Sequence, residues 1–433
     1  MKRIIKSISL ICLAASAVWA QTTVPAPVVR FLTNIGNIDV TLTPAAAPLT
    51  VANFLTYVNS GAYASSIIHR SVPGFVIQGG GYQLVAGVPT AITALPNVLN
   101  EYNVANTRGT IAMAKVDGDP NSANSQWFFN LVDNSTTLGT SNNGGFTVFG
   151  KVTAPNSLTI MDRIAALPTQ NITTGLDTVP YAGTSYVVVN NILYVPQASA
   201  SAVQSAASFA SSTTGVSPGE FLVLYGQNLG PASLATLTLD STGKVNTYLA
   251  GTRVLFNGTA APMVYTSSGQ VSAIVPQNLA GRPSVSIVVE YLGVQSAAIA
   301  LPVVGSNPAI FTQNSSGKGD SIVIRLDGSL VTTANPAKAD DILILYGEGY
   351  GDISDGPPDG TIVSTLLPKP LDPVRLLIDG KEYPTLYAGG AGGLVSGVLQ
   401  VNFKVPALTP GPHDIQLQVL DRKSPSGVNL QTN

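Results

Sequence analysis

Residues 67–80 read IIHRSVPGFVIQGG, residues 125–129 read SQWFF and residues 147–152 read TVFGKV. The first string holds one arginine, Arg70, beside an apolar platform of Phe75 and Val76. Outward from these strings, 433 residues are too many for one ordinary core, and the length predicts two or three domains. Only 10% of residues are charged and 45% are hydrophobic, with 42 glycines and 30 prolines. That balance suits strands and turns better than helical bundles or disorder, so the chain is expected to be mainly β.

The N-terminus carries Lys2, Arg3 and Lys6, an apolar run over residues 8–18, and small residues ending at Ala20. Residues 1–20 read as a cleavable secretory signal peptide, because the apolar run is shorter than the ~20 residues of a spanning helix. Cys12, the only cysteine, lies inside it, and Ile11 is wrong for a lipid-attachment box. Removing the leader takes the formal charge from −2 to −5, since three cations leave with it. Nothing basic enough for nucleic acid remains. A mature chain without thiols is expected to rely on buried apolar surface in an extracytoplasmic compartment, periplasmic or secreted. No later stretch reaches transmembrane length, so no integral membrane segment is expected after cleavage. With His69 and His413 the only histidines, a histidine-rich metal site is excluded, and no metal or cofactor is expected.

Ile38, Val40 and Leu42 alternate with polar residues, which predicts a hairpin turning near residues 34–37. Val51, Phe54, Leu55 and Val58 fall at helical spacing, with Thr50 as cap and Gly61 as stop. A second helix is expected over 157–167, carrying Ile160, Ile164 and Leu167 on one face. The small-residue stretch after it makes 196–217 a linker. Beyond it the chain repeats itself: GEFLVLYGQNLG (219–230) echoes DDILILYGEGYG (340–351), and VLFNGTAAPMVY (254–265) echoes LLIDGKEYPTLY (376–387). Each repeat has an Asn-Gly or Asp-Gly hairpin and alternating strands, so 218–310 and 311–421 are read as two immunoglobulin-like β-sandwiches. The polar end, 422–433, is expected to be a flexible tail.

HRSVPGFVIQGG, then AMA (112–114), SQWFF and VFGKV, in that order and spacing, resemble the cyclophilin family of peptidyl-prolyl isomerases. The resemblance covers residues 27–195 and implies an eight-stranded β-barrel with two capping helices. It implies catalytic roles for Arg70, Gln78 and Phe75. A substrate surface of His69, Val76, Ala114, Lys115, Gln126, Phe128, Leu138 and Phe146 is also implied, with His69 more structural than catalytic. Its partners would be proline-containing polypeptides. The repeats are similar to the tandem TIG-like regions that end many secreted bacterial proteins, which makes an envelope or surface partner possible. Departures from the pattern are Val76 for methionine, Lys115 for asparagine, Phe146 for histidine, and Thr137 nearest the place of the tryptophan associated with strong cyclosporin binding.

The chemistry fits those residue types. Rotation about an X-Pro amide breaks resonance at a barrier of roughly 18–20 kcal/mol and takes ~10–100 s unassisted. At the twist the prolyl nitrogen gains a lone pair, for which a fixed guanidinium is a suitable donor. The run 117–121 has the start of a calcium loop but lacks its glycine and terminal glutamate, and a solvated loop beside the proline site is the better account. Residues 79–81 lack the Lys-Ser/Thr of a phosphate loop and read as a glycine turn. No G-x-S-x-G elbow exists for a hydrolase. Two functions follow: an exported isomerase that assists folding of extracytoplasmic proteins, or a non-catalytic protein that grips proline segments or mediates adhesion.

Overall fold

The computed structural model describes residues 26–433 apart from 153, 174, 175, 355, 365 and 366, so the leader and Cys12 lie outside the described residues. The chain forms two compact units, one ending at Val195 and the other starting at Pro196.

In the first unit the expected hairpin is β1 (Val28–Thr33) and β2 (Asn37–Leu42). Helix α1 (Pro48–Asn59) follows, then β3 (Ser66–Ile67), β4 (Arg70–Val72) and β5 (Val76–Gly79). Next come β6 (Tyr82–Val85), β7 (Val88–Ala91), β8 (Thr110–Met113), β9 (Trp127–Asn130) and β10 (Val148–Lys151). Helix α2 (Pro155–Ala165), β11 (Thr169–Gln170), β12 (Val179–Ala182), β13 (Ser185–Tyr186) and β14 (Val188–Tyr194) complete it. The main sheet runs β4-β5-β9-β8-β10-β2-β1-β14-β3-β6-β7, which is eleven strands rather than eight. The difference comes from short pieces: β3 is only two residues long, and the β6–β7 hairpin extends the path.

Period-two alternation divides the central strands between two environments. Ile77, Trp127, Phe129 and Ile111 point into the main core with Phe31, Phe54 and Phe149. Their neighbours Val76, Phe128 and Ala112 form a separate cluster with Leu138 and Val148 on the other face. Both helices start at a proline, which fits the first turn because its missing N–H is not needed there. Thr50 is therefore inside α1, not its cap. The Glu101 carboxylate does the capping from a distant loop, accepting from the N–H groups of Leu49 (3.1 Å) and Thr50 (2.8 Å). α2 begins at Pro155 instead of 157 for the same reason.

In the second unit each repeat builds two sheets over one core. Strand Phe221–Gln227 pairs with Gln270–Ile274, and Thr252–Phe256 with Ser284–Tyr291. The later repeat pairs Ile342–Glu348 with Leu399–Lys404 and Val374–Ile378 with Gly411–Val419. Both two-residue hairpin loops have positive φ at both positions: Asn257 (48°) and Gly258 (83°), Asp379 (51°) and Gly380 (77°). That geometry is what selects Asn-Gly and Asp-Gly.

Two boundaries differ from expectation. The segment read as a linker contains the strand Gln197–Ser205, which pairs with Phe221–Gln227, because Val203 supplies a buried side chain to the first repeat's core. The segment read as a tail contains Val428–Thr432, whose Val428 and Leu430 are buried in the second repeat's core. The repeats also share apolar residues with each other, Phe221 meeting Phe311 edge-on at 6.1 Å. Among the described residues no helix is long and apolar enough to cross a membrane.

Candidate active site

Pairing of β4 with β5 sets Arg70 directly opposite Gln78, and pairing of β5 with β9 sets Gln78 opposite Phe128. The next pairing sets Phe128 opposite Ala112. One row across the sheet thus carries the arginine, the amide and the aromatic ring on a common face. The tight approach of β5 to β9 needs small residues. A Cβ on Gly79 would lie 2.5 Å from the Trp127 ring, and Gly80, at φ 78°, would set one 2.5 Å from the Ser125 carbonyl oxygen. The glycine run serves the seating of Trp127, as a turn.

Over this face lies an open cavity of about 320 Å³. Arg70, Phe75, Val76, Gln78, Ala114, Lys115, Phe128, Leu138 and Phe146 all line it, so nine of the eleven residues singled out from the sequence converge on one site. Its floor is apolar, with Phe128 and Phe146 edge-on at 5.9 Å. The Arg70 guanidinium carbon stands 5.8 Å from the Phe75 ring centre. Arg70 Nη1 donates to Gln78 Oε1 at 3.5 Å, and Gln78 Nε2 donates to Gln126 Oε1 at 2.9 Å. Half-burial lowers the guanidinium's pKa, yet leaves it a cation at neutral pH.

Two of the named residues take other places. Gln126 does not line the cavity and acts on it through Gln78. His69 is excluded from the substrate surface: it is only 4% exposed and packs edge-on against Tyr82 at 5.2 Å. Strand alternation sends it to the face opposite its neighbour Arg70. Burial, opposed by bonds to Gln126 and the Ile67 backbone, lowers its pKa to about 4, so the ring is neutral at physiological pH.

Three further residues line the cavity: Asn142 and Asn143, which were not foreseen, and Asp117, from the run read as a solvated loop beside the proline site. They sit in loops with no periodic signal. Lys115 joins those loops, its ammonium donating to the carbonyls of Asn143 (2.7 Å) and Gly145 (2.5 Å) and lying 4.8 Å from the Phe146 ring centre. Lys115 therefore contributes a side chain as well as backbone. Thr137 is exposed and does not line the cavity. Among the described residues no group of three or more His, Cys, Asp or Glu is placed to hold a metal ion.

Residues 28–183 match the family model for cyclophilin type peptidyl-prolyl cis-trans isomerases. A peptidyl-prolyl cis-trans isomerase of Acinetobacter baylyi is 41% identical over 143 residues, covering 33% of this chain and 73% of the relative. The chain belongs to the cyclophilin-type peptidyl-prolyl cis-trans isomerases. Peptidyl-prolyl cis-trans isomerase B of Escherichia coli is 40% identical over 146 residues, covering 33% of this chain and 85% of its own. A crystal structure of a cyclophilin type isomerase from Cryptosporidium parvum is 23% identical, with a TM-score of 0.31, and covers 39% of this chain and 97% of that one.

The cavity suits the isomerase's task. Turnover on the millisecond scale needs about 10⁴-fold acceleration, or roughly 5.5 kcal/mol of preferential transition-state binding. No bond is made or cleaved. The cavity sets a half-buried cation at the edge of an apolar floor.

Proposed function

We propose that this isomerase is exported and accelerates folding of extracytoplasmic proteins. Arg70 donates to the prolyl nitrogen of the twisted amide. Gln78 braces the guanidinium and meets the substrate backbone, and Phe75, Val76, Phe128, Leu138 and Phe146 hold the pyrrolidine ring. Ala114 and the Lys115 backbone hold the residues before the proline, and Gln126 supports Gln78. Residues 1–20 direct export. The paired repeats act as immunoglobulin-like spacers or as docking modules for an envelope or surface partner. One observation carries the catalytic assignment: a guanidinium held at the rim of an apolar cavity by a two-amide relay, Arg70 to Gln78 to Gln126.

The test uses the full chain and a short Ala-Pro-Phe peptide. Arg70→Ala is expected to lose about 100-fold in kcat/KM, the scale of a lost electrostatic donor, with the unfolding midpoint nearly unchanged because Arg70 is half-exposed. A folded Arg70→Ala protein that retains wild-type kcat/KM overturns the assignment. Cell fractionation with and without residues 1–20 tests export; identical location of the two forms refutes it.

A further inference from the structure

Behind the cavity, out of reach of any substrate, lie three buried asparagines. Asn106 and Asn130 are fully buried and Asn134 is 4% exposed. Asn134 Nδ2 donates to Asn130 Oδ1 (2.8 Å) and to the Phe75 carbonyl (3.0 Å). Asn130 Nδ2 donates to Asn106 Oδ1 (3.0 Å) and to Thr110 Oγ1 (2.8 Å). Asn106 Nδ2 donates to the carbonyls of Phe146 (2.9 Å) and Leu138 (3.4 Å). All six amide protons of the three side chains thus face an acceptor, as a buried polar network requires.

The two ends of this ladder are walls of the proline cavity. Phe75 hangs from one end, and Leu138 and Phe146 from the other, all three by main-chain carbonyls. Backbone bonds tighten the same connection: Asn134 N–H donates to the Asn106 carbonyl (2.9 Å), Leu138 N–H to the Asn134 carbonyl (2.9 Å), and Phe146 N–H to the Leu138 carbonyl (3.2 Å). Phe75 sits in the turn between β4 and β5, while Leu138 and Phe146 sit in a long loop between β9 and β10. The Leu131 N–H also donates to the Phe75 carbonyl (2.9 Å), carrying the β5–β9 pairing to the start of that loop, and the asparagines add the side-chain link from the Phe75 turn onward to Leu138 and Phe146.

We infer that Asn106, Asn130 and Asn134 are positioning residues of the isomerase, setting the separation of Phe75 from Leu138 and Phe146. The inference rests on the proline-site reading above. A ring held among these walls tolerates little change in their separation, and a shift of about 1 Å can cost up to 10²-fold. The grip is made in both ground and transition states, so its loss shows mainly in KM. Loss of Arg70, which acts on the twisted amide, shows mainly in kcat.

Asn134 is the residue to change, because its two amide bonds lie at the Phe75 end. In the full chain, Asn134→Ala is expected to raise KM for the Ala-Pro-Phe peptide about 10-fold while kcat stays within about threefold. Asn134→Asp places a carboxylate against two acceptors, Phe75 O and Asn130 Oδ1. At pH 8 it is expected to match the alanine variant. Burial and the two facing acceptors raise the new carboxyl's pKa above the ordinary aspartate range, so that lowering the pH to 5 returns an O–H donor, and KM relative to wild type falls back by about threefold or more. Should Asn134→Ala fail to fold, the aspartate variant compared at the two pH values decides on a single protein. Wild-type KM in a folded Asn134→Ala, or a raised KM in Asn134→Asp that does not respond to pH, overturns the inference. Absence of catalysis by the wild type overturns the proline-site reading itself, and the inference with it.

Discussion

The unit from Pro196 onward should weaken as pH rises, because two carboxyl groups are buried where its repeats meet. Glu220 and Glu348 are both fully buried. Glu348 Oε1 accepts from Ser205 Oγ (2.7 Å) and Ala207 N–H (3.0 Å), and Oε2 accepts from Phe221 N–H (2.9 Å). Glu220 accepts from Ser217 N–H (2.8 Å) and from Asn307 Nδ2 (2.8 Å). Burial raises the Glu348 pKa from 4.5 to about 7 against those bonds. Burial and the Glu348 charge raise Glu220 to about 8. A folded-state pKa above the unfolded one means that the folded unit holds extra protons. Its stabilisation is full below about pH 4.5 and is lost as pH rises through about 7 to 8. Taken for Glu348 alone, the loss is roughly 3 kcal/mol, or about 6–12 °C in Tm for a unit of this size. His413 acts in the same direction. Burial opposes its charge, but its bonds to Asp379 Oδ2 (2.6 Å) and the Thr409 carbonyl (2.8 Å) raise its pKa.

The two units can be followed separately. From residue 20 on, Trp127 is the only tryptophan, so its emission reports the isomerase unit. Far-ultraviolet circular dichroism of the full chain also follows the paired repeats. Thermal scans between pH 5 and pH 9 should show the transition without a Trp127 signal moving down with pH. Glu348→Gln keeps the shape and removes one titration. At pH 5 it should equal wild type or fall below it by about 1–3 kcal/mol, since its amide N–H faces Phe221 N–H. By pH 9 that order should reverse. A wild-type midpoint that does not fall with pH, or one that falls as steeply in Glu348→Gln, would refute the reasoning.

The isomerase unit should respond to pH in the opposite sense. His69 is buried neutral with a pKa lowered to about 4, so the stability it confers is present above about 6.5 and is lost as pH falls towards 4. The Trp127 unfolding midpoint should drop over that window; a midpoint flat from pH 7 to 4 rejects a neutral buried His69. Gly145 has φ 77°, and a Cβ there would lie 2.5 Å from the Tyr102 ring. Gly145→Ala should destabilise the unit by about 1–3 kcal/mol and raise KM through displacement of Phe146, and unchanged stability and KM in the variant would contradict this.

Local signals survived folding where one residue's conformational needs decide the outcome. Asn257-Gly258 and Asp379-Gly380 form the two-residue hairpins they announced, since both positions need φ above zero and few other residues accept it. The cavity's apolar lining was legible through the family resemblance, and strand alternation accounts for part of it, putting Val76 with Gln78 and leaving Ile77 for the core. The same alternation, applied from Arg70, would have turned His69 inward. Residues 196–217 and 422–433 were misread because composition reports polarity, whereas Val203, Val428 and Leu430 find apolar partners far away in the chain.

From its sequence alone the chain disclosed a mainly β architecture, a cyclophilin half, a repeated second half and the single arginine at the proline site. The β architecture and the repeat rest on local spacing and residue chemistry, and the cyclophilin half with its arginine on the resemblance of its motifs to that family. Only the tertiary structure joined Glu101 to the start of α1, buried Glu220 and Glu348 between the repeats, and linked Asn106, Asn130 and Asn134 behind the cavity walls. Polar residues carry no periodic mark of burial. Their roles come from partners tens of residues distant, and those partners meet only when the sheets close over a core.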